Sequence, residues 1–384
     1  MSYSQLQQEI AYSINKDNFD QWLNCIPELN KLITTPQDPF YHGEGNVWIH
    51  TQMVLRALIA QDEFAKSDPE EQFILFMTAL LHDIAKPETT IIDEISGRIL
   101  QPRHSKKGEI SSRILLWRLG VPFELREKIC RIIRVHQVPF YALSDNIRNK
   151  SPEWLIHCLS WELPVWMLCM QAKADIEGRI YADKNRILDE VELFKQLAFE
   201  EKCLYQPRKF IDNYTRIQYF RGANVWPDYA LYPQKGAKVI LMSGLPASGK
   251  NSWINKYKPT LPVASYDDAR NQLKLKYGQN EGLVIQSVLA KVKQYLRDKQ
   301  PFIWNATHLS QDMRQKALNL LYAYHAEVEI VYLEQSEKTL YLRNSSRNTS
   351  LPNKRIKQMF SKWEVPLPTE AHKVTYLINE TECN

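Results

Sequence analysis

Two sets of residues in this chain have the types and spacing to handle phosphate. The first lies in the run 238–252, KVILMSGLPASGKNS. Gly244 and Gly249 bracket Leu245, Pro246, Ala247 and Ser248, and Lys250 follows directly. That spacing lets successive backbone N–H groups turn inward onto an anion. The lysine then reaches the β- and γ-phosphates, and the following helix N-terminus adds partial positive charge. The position after the lysine, where Ser or Thr usually meets Mg²⁺, holds Asn251, with Ser252 one step later. An amide oxygen can still face the ion or one of its waters, but the magnesium assignment is weaker for it. An apolar, β-prone run precedes the loop and a helix-compatible run follows it. The expected ligand is therefore a nucleoside triphosphate, ATP or another, with Mg²⁺.

The second set is made of imidazoles and carboxylates. Taken singly, a histidine on an apolar helix face is a hydrogen-bonded core residue. The adjacent pair His82 and Asp83 is different. Burying an imidazole beside a carboxylate at the inner end of a hydrophobic helix is costly unless something cationic satisfies both. Imidazole nitrogen with carboxylate oxygen suits Mn, Fe, Co, Ni or Zn. With His50 upstream and Asp175 downstream, two His and two Asp can converge on one octahedral ion and leave positions for water and a phosphate. His104 and His136 could extend the shell to a second ion. Arg103, Lys106 and Lys107 around His104 either draw anions or are solvated loop charge.

The elements that must carry these residues differ between the two halves. Residues 1–199 are almost wholly of helical period. One helix capped by Asn46 puts Val47, His50, Val54 and Ala57 on an apolar face. A second, from Gln72 to about Ala85, has His82 and Asp83 in its last turn, with Pro87 ending it. A third, residues 123–136, aligns Ile129, Ile132, Ile133 and His136. A fourth begins near Pro164 and places Leu168, Ala172 and Asp175 on one side. Residues 200–236, rich in proline and aromatics with little periodicity, read as a linker or strap whose aromatics (Tyr219, Phe220, Trp226, Tyr229, Tyr232) cover apolar surface. Residues 237–384 alternate strands with helices, which implies a parallel sheet with ligands at the carboxyl ends of its strands. The run PVASYDDAR reads as a short strand whose carboxyl end presents Asp267, Asp268 and Arg270, and Asn305 and Thr307 fall at the end of another. The arginine-bearing stretch YLRNSSRNTSLP, with a helix restarting at Pro352, suits a lid over the transferred phosphate. The fold class expected is multidomain: an all-α domain followed by an α/β P-loop domain with a parallel sheet.

His50, then His82 and Asp83, then Asp175 in an all-helical domain resembles the HD phosphohydrolase superfamily. EGNVWIHTQMVLRAL and ALLHDIAKP are similar to the HD domains of bacterial tRNA nucleotidyltransferases and related phosphoesterases, over roughly residues 30 to 185. The resemblance implies that His50, His82, Asp83 and Asp175 are metal ligands, and that Lys86, His104 and His136 are phosphate or second-metal contacts. The sequences DDAR and RNSSRNTSLP resemble polynucleotide 5′-kinases of the phage end-healing type. By position Asp267 becomes the general base on a 5′-hydroxyl, Arg270 a clamp on the acceptor, and Arg347 the lid arginine, with Arg343 as its companion. Asn251, and Asn305 with Ala306 in place of a carboxylate, depart from that pattern. The two modules in this order resemble bacterial bifunctional HD-Pnk end-healing enzymes.

At 384 residues, with 44% hydrophobic and 24% charged residues, the composition is that of packed globular domains. A net charge of +5 fits an anionic substrate but does not by itself argue for nucleic acid. The N-terminal stretch is polar and mixed, and no apolar run nears the ~18–20 residues that span a bilayer. The six cysteines lack CxxC pairing, so reduced thiols and a cytoplasmic protein are expected. The function implied is healing of RNA or DNA ends. The kinase would phosphorylate 5′-OH ends, and the HD half, with one or two transition metal ions, would remove 2′,3′-cyclic phosphate, 2′-phosphate or 3′-phosphate. The partners are nucleic-acid ends, an NTP donor and a ligase acting downstream. The alternatives are a nucleoside or alcohol kinase fused to a nucleotide phosphohydrolase, and an ATP-gated nucleic-acid sensor.

Overall fold

A computed structural model describes residues 2–143, 150–346 and 351–379. Two compact units divide at Arg208 and Lys209.

In the N-terminal unit, five helices frame the chemistry: Val47–Ile59, Pro69–Leu81, His104–Arg118, Phe123–Val135 and Val165–Glu177. Pro69–Leu81 is buried from Phe73 to Leu81, which its apolar sequence requires of the central helix. Asp68 and Glu71 start it with a reciprocal capping box, and Asn46 caps the Val47 helix through Ile49 N–H. This helix ends at Leu81, four residues earlier than the sequence suggests. His82 is its C-cap, and three-residue turns (Ile84 N–H to Leu81 O, Lys86 N–H to Asp83 O) carry the chain onward. Pro87 does not end a helix. It sits in the first turn of the short helix Lys86–Thr89, where a missing N–H costs nothing. A hairpin that the sequence does not announce, β1 (Ile91–Ile92) with β2 (Ile99–Leu100), links this segment to His104.

The C-terminal unit is built on five parallel strands: β3 (Lys238–Ser243), β4 (Val263–Ser265), β5 (Phe302–Asn305), β6 (Glu327–Glu334) and β7 (Lys373–Ile378), in the order β4-β5-β3-β6-β7. The strands are apolar on both faces, as a covered parallel sheet requires. Val239, Leu241, Phe302, Trp304, Val328 and Ile330 pack into one core, and Ile240, Met242, Ile303, Val331 and Leu333 into the other. The edge strand β7 was not expected from sequence. Asp267 and Asp268 lie in the first turn of the helix Tyr266–Gln272, not on the strand, because β4 ends at Ser265, whose hydroxyl caps that helix.

The stretch 200–236 is not an irregular strap. It contains the helix Asn213–Phe220, capped by Asp212. Ile217 joins the core of the C-terminal unit, and buried Arg216 donates to the carbonyls of Pro368, Ala371 and His372. Tyr219 is buried, but Trp226, Tyr229 and Tyr232 stand 68–94% exposed and cover nothing. Cys25, Cys130, Cys158, Cys169 and Cys203 are free thiols, and among the described residues no helix is long and apolar enough to cross a membrane.

Candidate metal centre and nucleotide site

In the N-terminal unit, His50, His82, Asp83, His104, His136 and Asp175 come together from five separate segments. All are buried, at most 8% exposed. His50 Nε2 lies 3.1 Å from Asp175 Oδ1 and 3.8 Å from Asp83 Oδ2. His82 Nε2 is 3.2 Å from Asp83 Oδ2, and His104 Nε2 is 3.7 Å from Asp83 Oδ1. His136 Nε2 is 4.0 Å from Asp175 Oδ2. Candidate ligand atoms among these six residues form two overlapping groups, His50 with His82 and Asp83, and Asp83 with His104 and His136, each within 4.8 Å, and a third group, His42 with Glu44 and His50, shares His50. Asp83 belongs to the first two, with one oxygen toward each.

Three of the rings are set the same way. Nδ1 of His82, His104 and His136 faces the backbone oxygens of Ala79, Gln101 and Ile133 at 2.8–2.9 Å. A carbonyl only accepts, so Nδ1 carries the proton and Nε2 presents a lone pair to the cluster. This is how metal-binding imidazoles are held. His50 Nδ1 similarly meets Gly178 O at 3.2 Å and Glu44 Oε1 at 3.0 Å. His82 Nε2, His136 Nε2, both oxygens of Asp83 and Asp175 Oδ2 are buried without a hydrogen-bond partner. Asp83 Oδ2 lies 2.7 Å from Lys86 Nζ, close enough for charge attraction but off the line of a hydrogen bond. Five orphaned polar atoms converging in a dry interior are the condition that a bound cation relieves, and their mixed N and O set fits a first-row transition ion.

Electrostatics favour the ligating forms of Asp83, Asp175, His104 and His136, and run against that of His82. Burial opposes ionisation of Asp83, yet the charges of His82 and Lys86 outweigh it and hold the carboxyl well below the usual range. Asp175 is held low against burial by Arg179 and His50. Burial pushes His136 down to about 3 and lowers His104, so both are neutral at pH 7. For His82 burial also disfavours charge, but Asp83 beside it raises the pKa.

Several participants escaped the sequence reading. Arg179, one turn after Asp175, donates to its Oδ1 at 2.7 Å. Gln37 accepts from Lys86 Nζ at 2.6 Å, and Glu44 joins His42 and His50. The i, i+4 spacing of Asp175 and Arg179 was a legible signal. Those from Gln37 and Glu44 were not, because their partners lie in other segments.

In the C-terminal unit the glycine loop follows β3, the central strand. Gly244 has φ +137°, and a Cβ there would lie 2.3 Å from Leu333 O, so only glycine fits. Gly249, at φ +101°, starts the helix Lys250–Tyr257. Lys250 Nζ donates to Gly244 O at 2.9 Å and Leu245 O at 2.8 Å, curling over its own loop. Pro246, Ala247 (φ 63°) and Ser248 complete that loop. A Cβ on Gly249 would lie 3.3 Å from Arg343 Nη1, which puts this guanidinium against the loop. Asn251 Oδ1 accepts from Asn305 Nδ2 at 2.7 Å. Ser252 follows in the first turn of the helix. Arg270 joins Asp267 at 2.9 Å and Glu281 at 2.8 Å. Arg347 lies outside the described residues.

The family model described as an AAA domain matches residues 239–366. The C-terminal unit is thus a P-loop kinase-like domain. The multifunctional CCA protein of Legionella pneumophila (strain Paris) is 31% identical over 139 residues, covering 34% of this chain and 31% of that protein. The multifunctional CCA protein of Xylella fastidiosa (strain M23) is 30% identical over 159 residues, covering 40% and 35%. The chain matches about a third of the length of these relatives. A solved sugar kinase from Janibacter sp. HTCC2649 is similar with a TM-score of 0.30 and 15% identity, over 38% of this chain and 87% of that one.

Proposed function

We propose that the chain is an end-healing enzyme for RNA or DNA. Its C-terminal unit would transfer the γ-phosphate of an NTP to a 5′-hydroxyl end. Its N-terminal unit would remove 2′,3′-cyclic phosphate, 2′-phosphate or 3′-phosphate. The observation that carries the hydrolytic half is the ring of orphaned Nε2 and carboxylate oxygens with two cations, Lys86 and Arg179, bound to its two carboxylates. On this reading His50, His82, Asp83 and Asp175 hold one ion, and His104 and His136 with Asp83 a second. Such ions would activate water and neutralise phosphate charge. Lys86 and Arg179 then compensate the anionic phosphate, and burial excludes competing solvent. The similarity to multifunctional CCA proteins, over 34–40% of this chain, supports the same reading.

For the kinase half the support is the phosphate loop with Lys250 and Arg343 against it. Asp267, a solvent-reachable carboxylate beside the Arg270 cation, would take the proton of the attacking hydroxyl, and Arg270 and Arg347 would steady acceptor and transferred phosphate. Asn251 and Asn305 replace the side chains that usually meet Mg²⁺, so donor phosphates and water must supply most of its shell. The test supplies radiolabelled ATP and a 5′-OH oligonucleotide ending in a 2′,3′-cyclic phosphate, with Mg²⁺ and Mn²⁺. Label on the strand and loss of the cyclic end are expected. Label on free nucleosides but not on strands would favour a small-molecule kinase, and turnover of neither end would leave a sensor.

A further inference from the structure

The loop running from Gln37 to Gly45 touches the metal cluster at both ends. At its start Gln37 accepts from Lys86 Nζ at 2.6 Å. At its end Glu44 Oε1 lies 3.0 Å from His50 Nδ1, and the His42 ring lies 4.8 Å from the His50 ring. A second loop, leaving Asp175 and Arg179, is clamped to it: Gly43 N–H donates to Ile180 O and Ile180 N–H to Glu44 Oε2, both at 2.9 Å. Between these tethers the two loops hold up three aromatic rings. Phe40 and Tyr41 sit with centroids 4.9 Å apart, and Tyr181 lies 5.8 and 5.3 Å from them. The Arg98 guanidinium covers Phe40 and Tyr41 at 5.3 and 4.9 Å, and Asp38 fixes it at 2.7 Å.

This cluster is built but remains open to solvent. Phe40 is 64% and Tyr41 39% exposed. Phe40 lies two residues from His42, so its Cα is at most ~7 Å from that of His42, about one nucleotide's reach from the ligand sphere. Resting on the phosphoesterase reading above, we propose that Phe40, Tyr41 and Tyr181, backed by Arg98, form a stacking platform for the nucleobase of the nucleotide whose phosphate enters the metal centre. A ring face and a guanidinium plane accept any base, so stacking on the platform holds the terminal nucleotide without selecting its sequence.

The test is calorimetric binding to the full-length, Mn²⁺-loaded protein, comparing a nucleoside 3′-monophosphate with ribose 3-phosphate. The nucleotide should bind more tightly, with all four bases within a few-fold of one another. Phe40→Ala should cut that preference by roughly 5- to 150-fold, the usual worth of one stacked base, and Phe40→Trp should restore it. With a cyclic mononucleotide as substrate the same variant should raise KM more than it lowers kcat. Equal affinity of the wild type for nucleotide and ribose phosphate would overturn the platform and leave the metal centre standing. A Phe40→Ala protein that weakens both ligands equally, unrescued by tryptophan, would make the cluster a scaffold only. Binding of neither ligand would overturn both readings.

Discussion

Replacing Asp83 by asparagine puts the proposed metal centre to its most demanding trial. The side chain keeps its size and one oxygen, so packing at this 2% exposed position is preserved, while the charge goes and an N–H₂ donor enters. Asp83 is the one carboxylate common to both ligand groups. At an ion–oxygen distance of ~2.1 Å and an effective dielectric near 20, its attraction for the ion's charge is about 8 kcal/mol per unit charge before desolvation is counted. Desolvation and the amide dipole return part of this. Loss of an outer-shell partner already costs 10- to 100-fold in metal affinity, so loss of this direct ligand should cost at least ~10³-fold. Protein expressed without chelator and dialysed should carry stoichiometric transition metal by elemental analysis, and Asp83→Asn should carry little. Metal at about 100 times its Kd should stabilise the apo-protein by ~2.7 kcal/mol, raising the melting temperature of a unit this size by roughly 5–11 °C, and the variant should show no such shift. Strand phosphorylation by the same preparation serves as the control for folding. A variant that keeps its metal and more than a tenth of its phosphoesterase rate would refute the reasoning.

Three further outcomes follow from the C-terminal unit. Lys250→Ala should lower 5′-phosphorylation by at least ~10²-fold with cyclic-phosphate hydrolysis unchanged, and parallel loss of both activities in end-group assays would argue against separate sites. Gly244→Ala must push a methyl to within 2.3 Å of Leu333 O at φ +137°. It should destabilise this unit by about 2–4 kcal/mol, on the order of 10 °C by calorimetry, and an unchanged melting temperature would show that the loop is not held as described. Burial of His308 lowers its pKa to about 4 against an ordinary 6.5. Between those values the unfolded chain binds the proton and the folded one does not, so stability is full above pH 6.5 and falls by about 3 kcal/mol as pH drops toward 4. Urea unfolding at pH 7, 6 and 5 measures this, and His308→Gln should flatten the dependence.

His50, His136 and Asp175 were legible because each sits on, or at the end of, a helix whose apolar face must turn inward, so they could be assigned to the interior from spacing alone. The phosphate loop was legible because glycine spacing and the preceding strand leave few other uses for it. What the sequence hid depends on partners far along the chain. Glu44 matters because it meets His50 and Ile180, and Glu281 because it shares Arg270 with Asp267. The helix Asn213–Phe220 was missed because its buried positions, Thr215, Arg216, Ile217 and Tyr219, are half polar. Arg216 is buried only because three carbonyls wait for it, which no periodicity reveals. Conversely, the aromatics at 226, 229 and 232 look like core residues by type, yet stand in irregular chain facing water.

The two candidate sites differ in how their polar groups rest. In the N-terminal cluster, Asp83, Asp175, His82 and His136 keep buried atoms without a hydrogen bond, and water has little access. Such a set is satisfied by a cation that stays in place. In the glycine loop the opposite holds. Lys250 is bonded to the loop's own carbonyls, Asn251 to Asn305, and Arg270 to Asp267 and Glu281. A nucleotide must exchange its phosphate oxygens for these internal contacts, so its net gain is smaller than the contact count in the complex would suggest. The first arrangement suits a resident cofactor and the second a donor that binds, reacts and leaves. On the proposed reading, dialysis should strip nucleotide long before metal, and a chain that loses both at the same rate would contradict the distinction.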